Sequence, residues 1–528
     1  MKHTKRVAAL LAALTAVSGC SDDFLTEVPS DFVAPVTFYN NAGDALAAVN
    51  AAYATFVNLQ SPLGSSDYVG RNLYMLVEYP TETVTSRLSA ANERSLIGNF
   101  NAQFTSSHPY LESVWQAAYA GINRANSVIG RVPDVPMDET RKAQIIGEAK
   151  FLRAVHYYWL AGLFGGVPLK LTETTSIDGG NLARATTAET YAQIAKDLTE
   201  AAAVLPASWP TGDFGRATKG AALTLLGKAY LQHAGAYGVT GDYQKALDAL
   251  RQVTGYSLDA NYASLFDGSN ERSPEIIWSI QNTRVDGYGG TLTEWFSPIT
   301  SPQIFQGGAQ NQFQAERPFY DSYAATDVRK NGTWLTSITY NGKTVNWAWT
   351  SGIQTATNYG STGPGVRKYV DFAAADGGAE GPDYVMLRYA DVLLSTAEAI
   401  NEISGPTAEA YTLVNRVRTR AGIPNLTAGL AKAAFKDSLF AERRLELAME
   451  MHGVFDSRRN WAWAKSRLQA NVANLATLNR SPFTSSTEKF VAGQVIDDKW
   501  KLYPIPARAC ELNDQLAQNP GWTDVICK

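Results

Sequence analysis

Between Thr140 and Leu163, the residues Ile145, Ala149, Leu152, Val155 and Trp159 fall on one stripe at helical spacing, which predicts a helix with a core-facing side. From Tyr384 to Glu402 the same spacing puts Leu387, Ala390, Leu394 and Ala397 on one side, with Arg388, Asp391, Ser395, Glu398 and Glu402 gathered on the other. Similar patterns predict helices around Asp44 to Asn58, Tyr110 to Arg131, Thr187 to Leu205, Lys219 to His233, Thr407 to Ala421 and Leu430 to Met451. Within them, Leu226-Gly227-Lys228-Ala229-Tyr230 matches the L-G-x2-Y signature of a tetratricopeptide hairpin. Gly241-Asp242-Tyr243, with Ala246 and Leu247, would open its second helix, and Gly227 would let the two helices approach closely.

From about Ser257 to Asp383 helical periodicity fades into aromatic and polar residues with many Gly, Thr, Asn and Ser. Short extended runs at Glu275 to Ile280, Thr336 to Tyr340 and Thr344 to Trp349 predict small sheets in this insertion. The expected organisation is a helical frame over 41–256, a loop-rich subdomain over 257–383, and a return to the frame over 384–528. The fold class is mainly α: a tetratricopeptide-like helical repeat with an inserted irregular subdomain containing short strands.

The N-terminal pattern differs. Lys2, Lys5 and Arg6 precede the apolar run Val7 to Val17, which ends in Val17-Ser18-Gly19-Cys20. A basic start, a short apolar core and small residues before a cysteine are the layout of a lipoprotein signal over 1–19, with Cys20 as the lipidated first residue of a tether over 20–40. The run is too short to span a bilayer as a helix, and no later stretch reaches eighteen consecutive apolar residues.

Composition changes the picture in two ways. Without the three signal-peptide cations the chain has 43 basic residues against 50 acidic ones, a balance that argues against nucleic acid as a partner. The cysteines other than Cys20 are Cys510 and Cys527, which leaves either a disulfide or two thiols in an oxidising exterior.

Several ordered segments then carry a family resemblance. They begin with Asp23-Phe24-Leu25 and Phe38-Tyr39-Asn40-Asn41, followed by Trp115-Gln116-Ala117-Ala118-Tyr119 and Gly147-Glu148-Ala149-Lys150-Phe151-Leu152-Arg153-Ala154. Leu387-Arg388-Tyr389-Ala390-Asp391, Glu442-Arg443-Arg444-Leu445-Glu446-Leu447, Tyr503-Pro504-Ile505-Pro506 and Asn519-Pro520-Gly521 complete the series. The chain resembles the SusD/RagB-type outer-membrane nutrient-binding lipoproteins. The resemblance implies a superhelix of four tetratricopeptide-like helix pairs beside a less regular domain, on the outer face of the outer membrane. It also implies capture of a glycan, or of a peptide in the RagB manner, for a SusC-type TonB-dependent transporter, with no cofactor. Two segments depart from the family: Glu450-Met451-His452-Gly453, where relatives have an acidic-Gly-Arg run, and Cys510.

A sugar site needs aromatic faces for pyranose rings and amide, carboxylate or guanidinium groups for hydroxyls. Such residues are dense in two stretches, one with Tyr68, Arg71, Tyr74, Tyr79, Arg87, Asn99 and Asn101, the other with Tyr288, Trp295, Phe296 and Gln303, then Trp334, Tyr340, Trp347 and Trp349. Trp295 and Phe296 stand out because their Gly-, Thr- and Pro-rich surroundings offer little periodicity to bury them, so Trp295→Ala would weaken binding with little loss of stability. Glu442, Glu446 and Glu450, four residues apart beside Arg443 and Arg444, read as a charged helical face with intrahelical pairs, and Glu148 with Arg153 as a buried pair between helices. No H-E-x-x-H, G-x-S-x-G or Walker-type loop occurs, and the five histidines lack partners at metal-ligand spacing, so neither an enzyme nor a metal site is expected. A helical-repeat scaffold lipoprotein facing the periplasm is a further alternative.

Overall fold

The computed structural model describes residues 38–57, 68–86, 92–100, 103–176, 180–285, 289–298, 309–340, 343–346, 363–374, 379–475, 489–525 and 527. The lipidation position Cys20 and the candidates Arg87, Asn101 and Tyr288 lie outside them. Among the described residues the helices of seven residues or more are α1 (Ala42–Tyr53), α2 (Pro109–Arg131), α3 (Glu139–Phe164), α4 (Thr187–Val204), α5 (Lys219–Tyr237), α6 (Asp242–Leu250), α7 (Tyr389–Ser404), α8 (Ala408–Arg420), α9 (Lys432–Leu447), α10 (Gly453–Arg459) and α11 (Trp461–Ala473).

Local chemistry sets their starts. Asn41, Asp138, Thr218 and Thr407 accept backbone N–H groups of the first turns of α1, α3, α5 and α8. Thr186 and Glu189 satisfy each other's backbone in a capping box ahead of α4. In sequence order α2 packs on α3, α3 on α4, α4 on α5 and α5 on α6. The chain then leaves for the irregular region and returns with α7, which packs on α6, followed by α8 and α9 on α7. Each unit thus covers the apolar face of the one before it, which is how a helical repeat builds a continuous core. A Cβ on Gly227 would sit 2.5 Å from Leu250 Cγ, so only a glycine at this position admits the close contact of α5 with α6.

The expected stripe of α3 is buried, and so is the rest of its surface from Phe151 onward, because α1, α2, α4, α5 and α10 all pack against it. A different correction applies to Tyr384–Glu402. Its first five residues form strand Tyr384–Arg388, paired antiparallel with Ile276–Ile280, and α7 begins only at Tyr389. A short apolar run fits either state, and a strand partner about a hundred residues upstream decides it. A second sheet orders Val84–Ser86, Phe313–Ala315, Gly365–Val366 and Trp334–Leu335, and Ser337–Tyr340 pairs with Lys343–Asn346.

The irregular region is locked to the frame by charge. Glu442, Glu446 and Glu450 are buried, and their partners come from other elements instead of from intrahelical neighbours. Arg388 donates to Glu275 at 2.7 Å, to Glu446 at 2.6 Å and twice to Glu450 at 2.6 and 2.9 Å. Arg329 reaches Glu442 at 2.5 Å, Glu446 at 2.9 Å and Asp327 at 2.8 Å, while Lys368 meets Glu450 at 2.5 Å. Arg420 contacts Glu275 and Glu446, and Arg418 contacts Glu442. Arg329, Lys368, Arg388, Arg418 and Arg420 balance Asp327, Glu275, Glu442, Glu446 and Glu450 one for one, so each charge of this network has a counterion.

Glu148 and Arg153 are both buried, but each has other partners. Glu148 is held by Arg141, Arg216 and the Tyr53 hydroxyl at 2.9, 2.9 and 3.0 Å, whereas Arg153 forms a two-pronged pair with Asp197 at 2.7 and 2.8 Å. At the C-terminus Cys510 and Cys527 are joined in a disulfide.

Candidate ligand-binding surface

Tyr68 and Arg71 lie on a π-helical turn, Tyr68–Leu73, that runs into the short helix Tyr74–Glu78. Single π turns inside helices are frequent at functional sites because they re-aim side chains. Arg71 Nε donates to Asn72 Oδ1 at 3.0 Å, and Asn72 Nδ2 donates to Ser113 Oγ on α2 at 2.8 Å, which ties the turn to the frame.

Trp295 and Phe296 sit on the one-turn helix Leu292–Phe296, whose start is held by the Glu380 carboxylate accepting from Thr293 N at 2.7 Å and Glu294 N at 3.3 Å. Both aromatics are buried, Trp295 with 5 % of its surface exposed and Phe296 with none, contrary to the expectation of an open loop. Periodicity gave no warning because a single turn enclosed on all sides has no polar face. Phe296 packs edge-on against Tyr74 at 5.7 Å and Phe313 at 5.1 Å, and Tyr74 is itself wholly buried. Tyr68 packs away from these rings, stacked on His156 at 5.8 Å with its hydroxyl 3.2 Å from Nδ1. Tyr68, Tyr74 and Phe296 therefore work as packing, and none offers a ring face to a ligand.

Arg71 and Trp295, 224 residues apart in the chain, are brought together. The Arg71 guanidinium lies 5.0 Å from the Trp295 ring centroid, and that of Arg94 lies 5.1 Å from it. Tyr110 completes the cluster: Arg94 Nε donates to its hydroxyl at 3.0 Å, and the Arg71 guanidinium stands 5.7 Å over its ring. Beside them Gln310 Nε2 donates to Glu294 Oε1 at 3.1 Å, and Gln312 N to the Trp295 carbonyl at 2.7 Å. His108 caps α2, and burial lowers its pKa, which keeps the ring neutral at pH 7. The Trp295 indole N–H is buried without a partner among the described residues.

Arg94 and Tyr110 were missed by sequence reasoning, since neither stands next to an aromatic run; the polar run Asn92-Glu93-Arg94, which opens the short helix Glu93–Leu96, was the available signal. Half-buried guanidiniums over aromatic rings, with an amide and a carboxylate at hand, suit recognition of hydroxyl-rich ligands more than bond breaking. Among the described residues no group of three His, Cys, Asp or Glu side chains could hold a metal ion.

The sequence model described as "SusD family" matches residues 228–522, more than half of the chain. The chain belongs to the SusD family. A second family model, "Starch-binding associating with outer membrane", matches residues 58–231. The SusD-like protein P2 of Formosa agariphila is 27% identical over 479 residues, covering 85% of this chain and 89% of that protein. The starch-binding protein SusD of Bacteroides thetaiotaomicron is 37% identical over 152 residues, 27% of this chain and 26% of its own length. Among solved structures, a SusD homolog from Bacteroides thetaiotaomicron superposes with a TM-score of 0.78 at 24% identity, covering 93% of this chain and 99% of its own. Its surface glycan-binding protein A, solved with laminarihexaose, gives 0.70 at 20% identity over 91% and 100%. These likenesses establish the tetratricopeptide-like SusD fold.

Proposed function

We propose that this SusD-family chain is a cell-surface lipoprotein, anchored in the outer membrane through acyl chains on Cys20, that captures an oligosaccharide or polysaccharide and passes it to a SusC-like TonB-dependent transporter. The observation that carries the reading is the match of residues 58–231 to the family described as starch-binding and outer-membrane associated. A relative named for starch and a structural neighbour named for laminarin binding support glycan over peptide. The half-buried Arg71 and Arg94 guanidiniums add a chemical reason, because such donors match hydroxyl-rich ligands. Ligand capture needs no cofactor and no catalytic residue.

The test is one titration format: the lipid-free chain Ser21 to Lys528 against plant, fungal and host polysaccharides and against mixed peptides, with reducing ends assayed in parallel. Saturable glycan binding without new reducing ends is expected. Binding of peptides alone would move the chain to the RagB branch, and release of reducing ends would make it a hydrolase. Protease treatment of intact cells tests surface display, which protection of the chain would overturn.

A further inference from the structure

We propose that the cleft between the C-terminal end of α1 and strand Ile276–Ile280 is a second carbohydrate subsite, shaped for one sugar ring and separate from the Arg71–Trp295 cluster. The proposal rests on the glycan reading above. The cleft has a volume of 270 Å³, bounded by Asn50, Tyr53 and Val57 on one side, the loop Gly212–Arg216 at its mouth, and Trp278 on the strand with Gln281 just after it. That is just below the roughly 300–1,000 Å³ of drug-sized ligand pockets, so it suits one small unit of a longer chain.

Its walls combine the two things a sugar needs. Phe214 is 38 % exposed, a large share for a phenylalanine, and the Arg272 guanidinium stacks over its ring at 4.7 Å, which steadies the ring at the mouth. Tyr53 and Trp278 supply further aromatic surface.

The polar groups are fixed from behind. Arg216 donates to Asp213 Oδ1 at 2.6 Å and to Asn50 Oδ1 at 2.8 Å, while its other arm is anchored on buried Glu148 at 2.9 Å. Among the described residues Asp213 Oδ2 is left as an acceptor and Asn50 Nδ2 as a donor. Gln281 Nε2 is held by Asp383 Oδ2 at 2.5 Å and Ser279 Oγ at 2.8 Å, which leaves its Oε1 as a second acceptor. Two acceptors and one donor, each with its other end secured, match adjacent sugar hydroxyls, which both donate and accept.

The experiment is calorimetric titration of the lipid-free chain with maltohexaose, cellohexaose and laminarihexaose, using wild type, Phe214→Ala and Asn50→Ala. Both side chains lie at the surface, so their thermal midpoints should stay close to wild type, and Asn50→Ala stands as the control if Phe214→Ala unfolds. We expect at least about a fivefold loss of affinity in each variant for any hexaose the wild type binds. Wild-type binding that both variants retain within twofold would overturn the subsite and leave the glycan function standing. A wild type that binds neither these hexaoses nor any polysaccharide of the panel above would overturn both.

Discussion

Arg388 and Glu450, 62 residues apart, form a two-pronged pair with Nε to Oε2 at 2.6 Å and Nη2 to Oε1 at 2.9 Å, and neither side chain is more than 2 % exposed. Burial by itself pushes Glu450 toward its neutral form, but the charges of Arg388 and Lys368 outweigh it and hold the carboxyl below its usual range. Arg388 also bonds Glu275 and Glu446, so removing it leaves three buried carboxylates short of a partner. Arg388→Met should therefore destabilise the chain by about 3–5 kcal/mol, the range for a broken buried pair. Urea unfolding checks it; a loss under about 1 kcal/mol, the level of an exposed pair, would show that the network contributes little.

Trp295 is enclosed by the short helix that carries it and by the guanidiniums of Arg71 and Arg94. Trp295→Ala should lower stability by about 3–5 kcal/mol, as truncation of a buried tryptophan does. A thermal midpoint within a degree of wild type would restore the open-loop expectation. Arg94→Ala removes a half-buried guanidinium without opening a core cavity and is the better probe of ligand contact at this cluster.

The Cys510–Cys527 disulfide closes a loop with a sequence separation of 17. In the chain-entropy account a loop of that size gives about 3 kcal/mol by restricting the unfolded state. The double variant Cys510→Ala, Cys527→Ala should unfold at correspondingly lower denaturant. Identical midpoints with and without reductant in the wild type would contradict this.

Asp383 accepts from Asn282 N at 2.9 Å, Ser279 Oγ at 3.2 Å and Gln281 Nε2, yet burial pushes its carboxyl up to about 7. A carboxyl raised above its unfolded value of about 3.9 adds stability that is fully present below that pH and is lost as pH rises through the folded value near 7. Asp383→Asn removes this titration. The midpoint of the variant relative to wild type should therefore rise between pH 5 and pH 8.5, by thermal melts in matched buffers. A difference that stays flat over that window would show that Asp383 is ionised throughout.

Local pattern by itself determined the helical frame. The apolar stripe of α3 and the L-G-x2-Y run at Leu226 are read from neighbours within about a turn, and helix formation obeys those neighbours. The ordered family segments were legible for the same reason, since most of them are pieces of that frame. Only the tertiary structure decided what depends on residues far apart. It turned Tyr384–Arg388 into a strand, and it gave Glu442 and Glu446 to Arg329, Arg418, Arg420 and Arg388 instead of to their own helix. It joined Arg71, Arg94 and Trp295 into one cluster and buried Tyr74 and Phe296 beneath it. The physical reason is common to all of these: burial and charge pairing are set by which surfaces meet when the irregular region folds back on the frame, and spacing along the chain carries no record of that meeting.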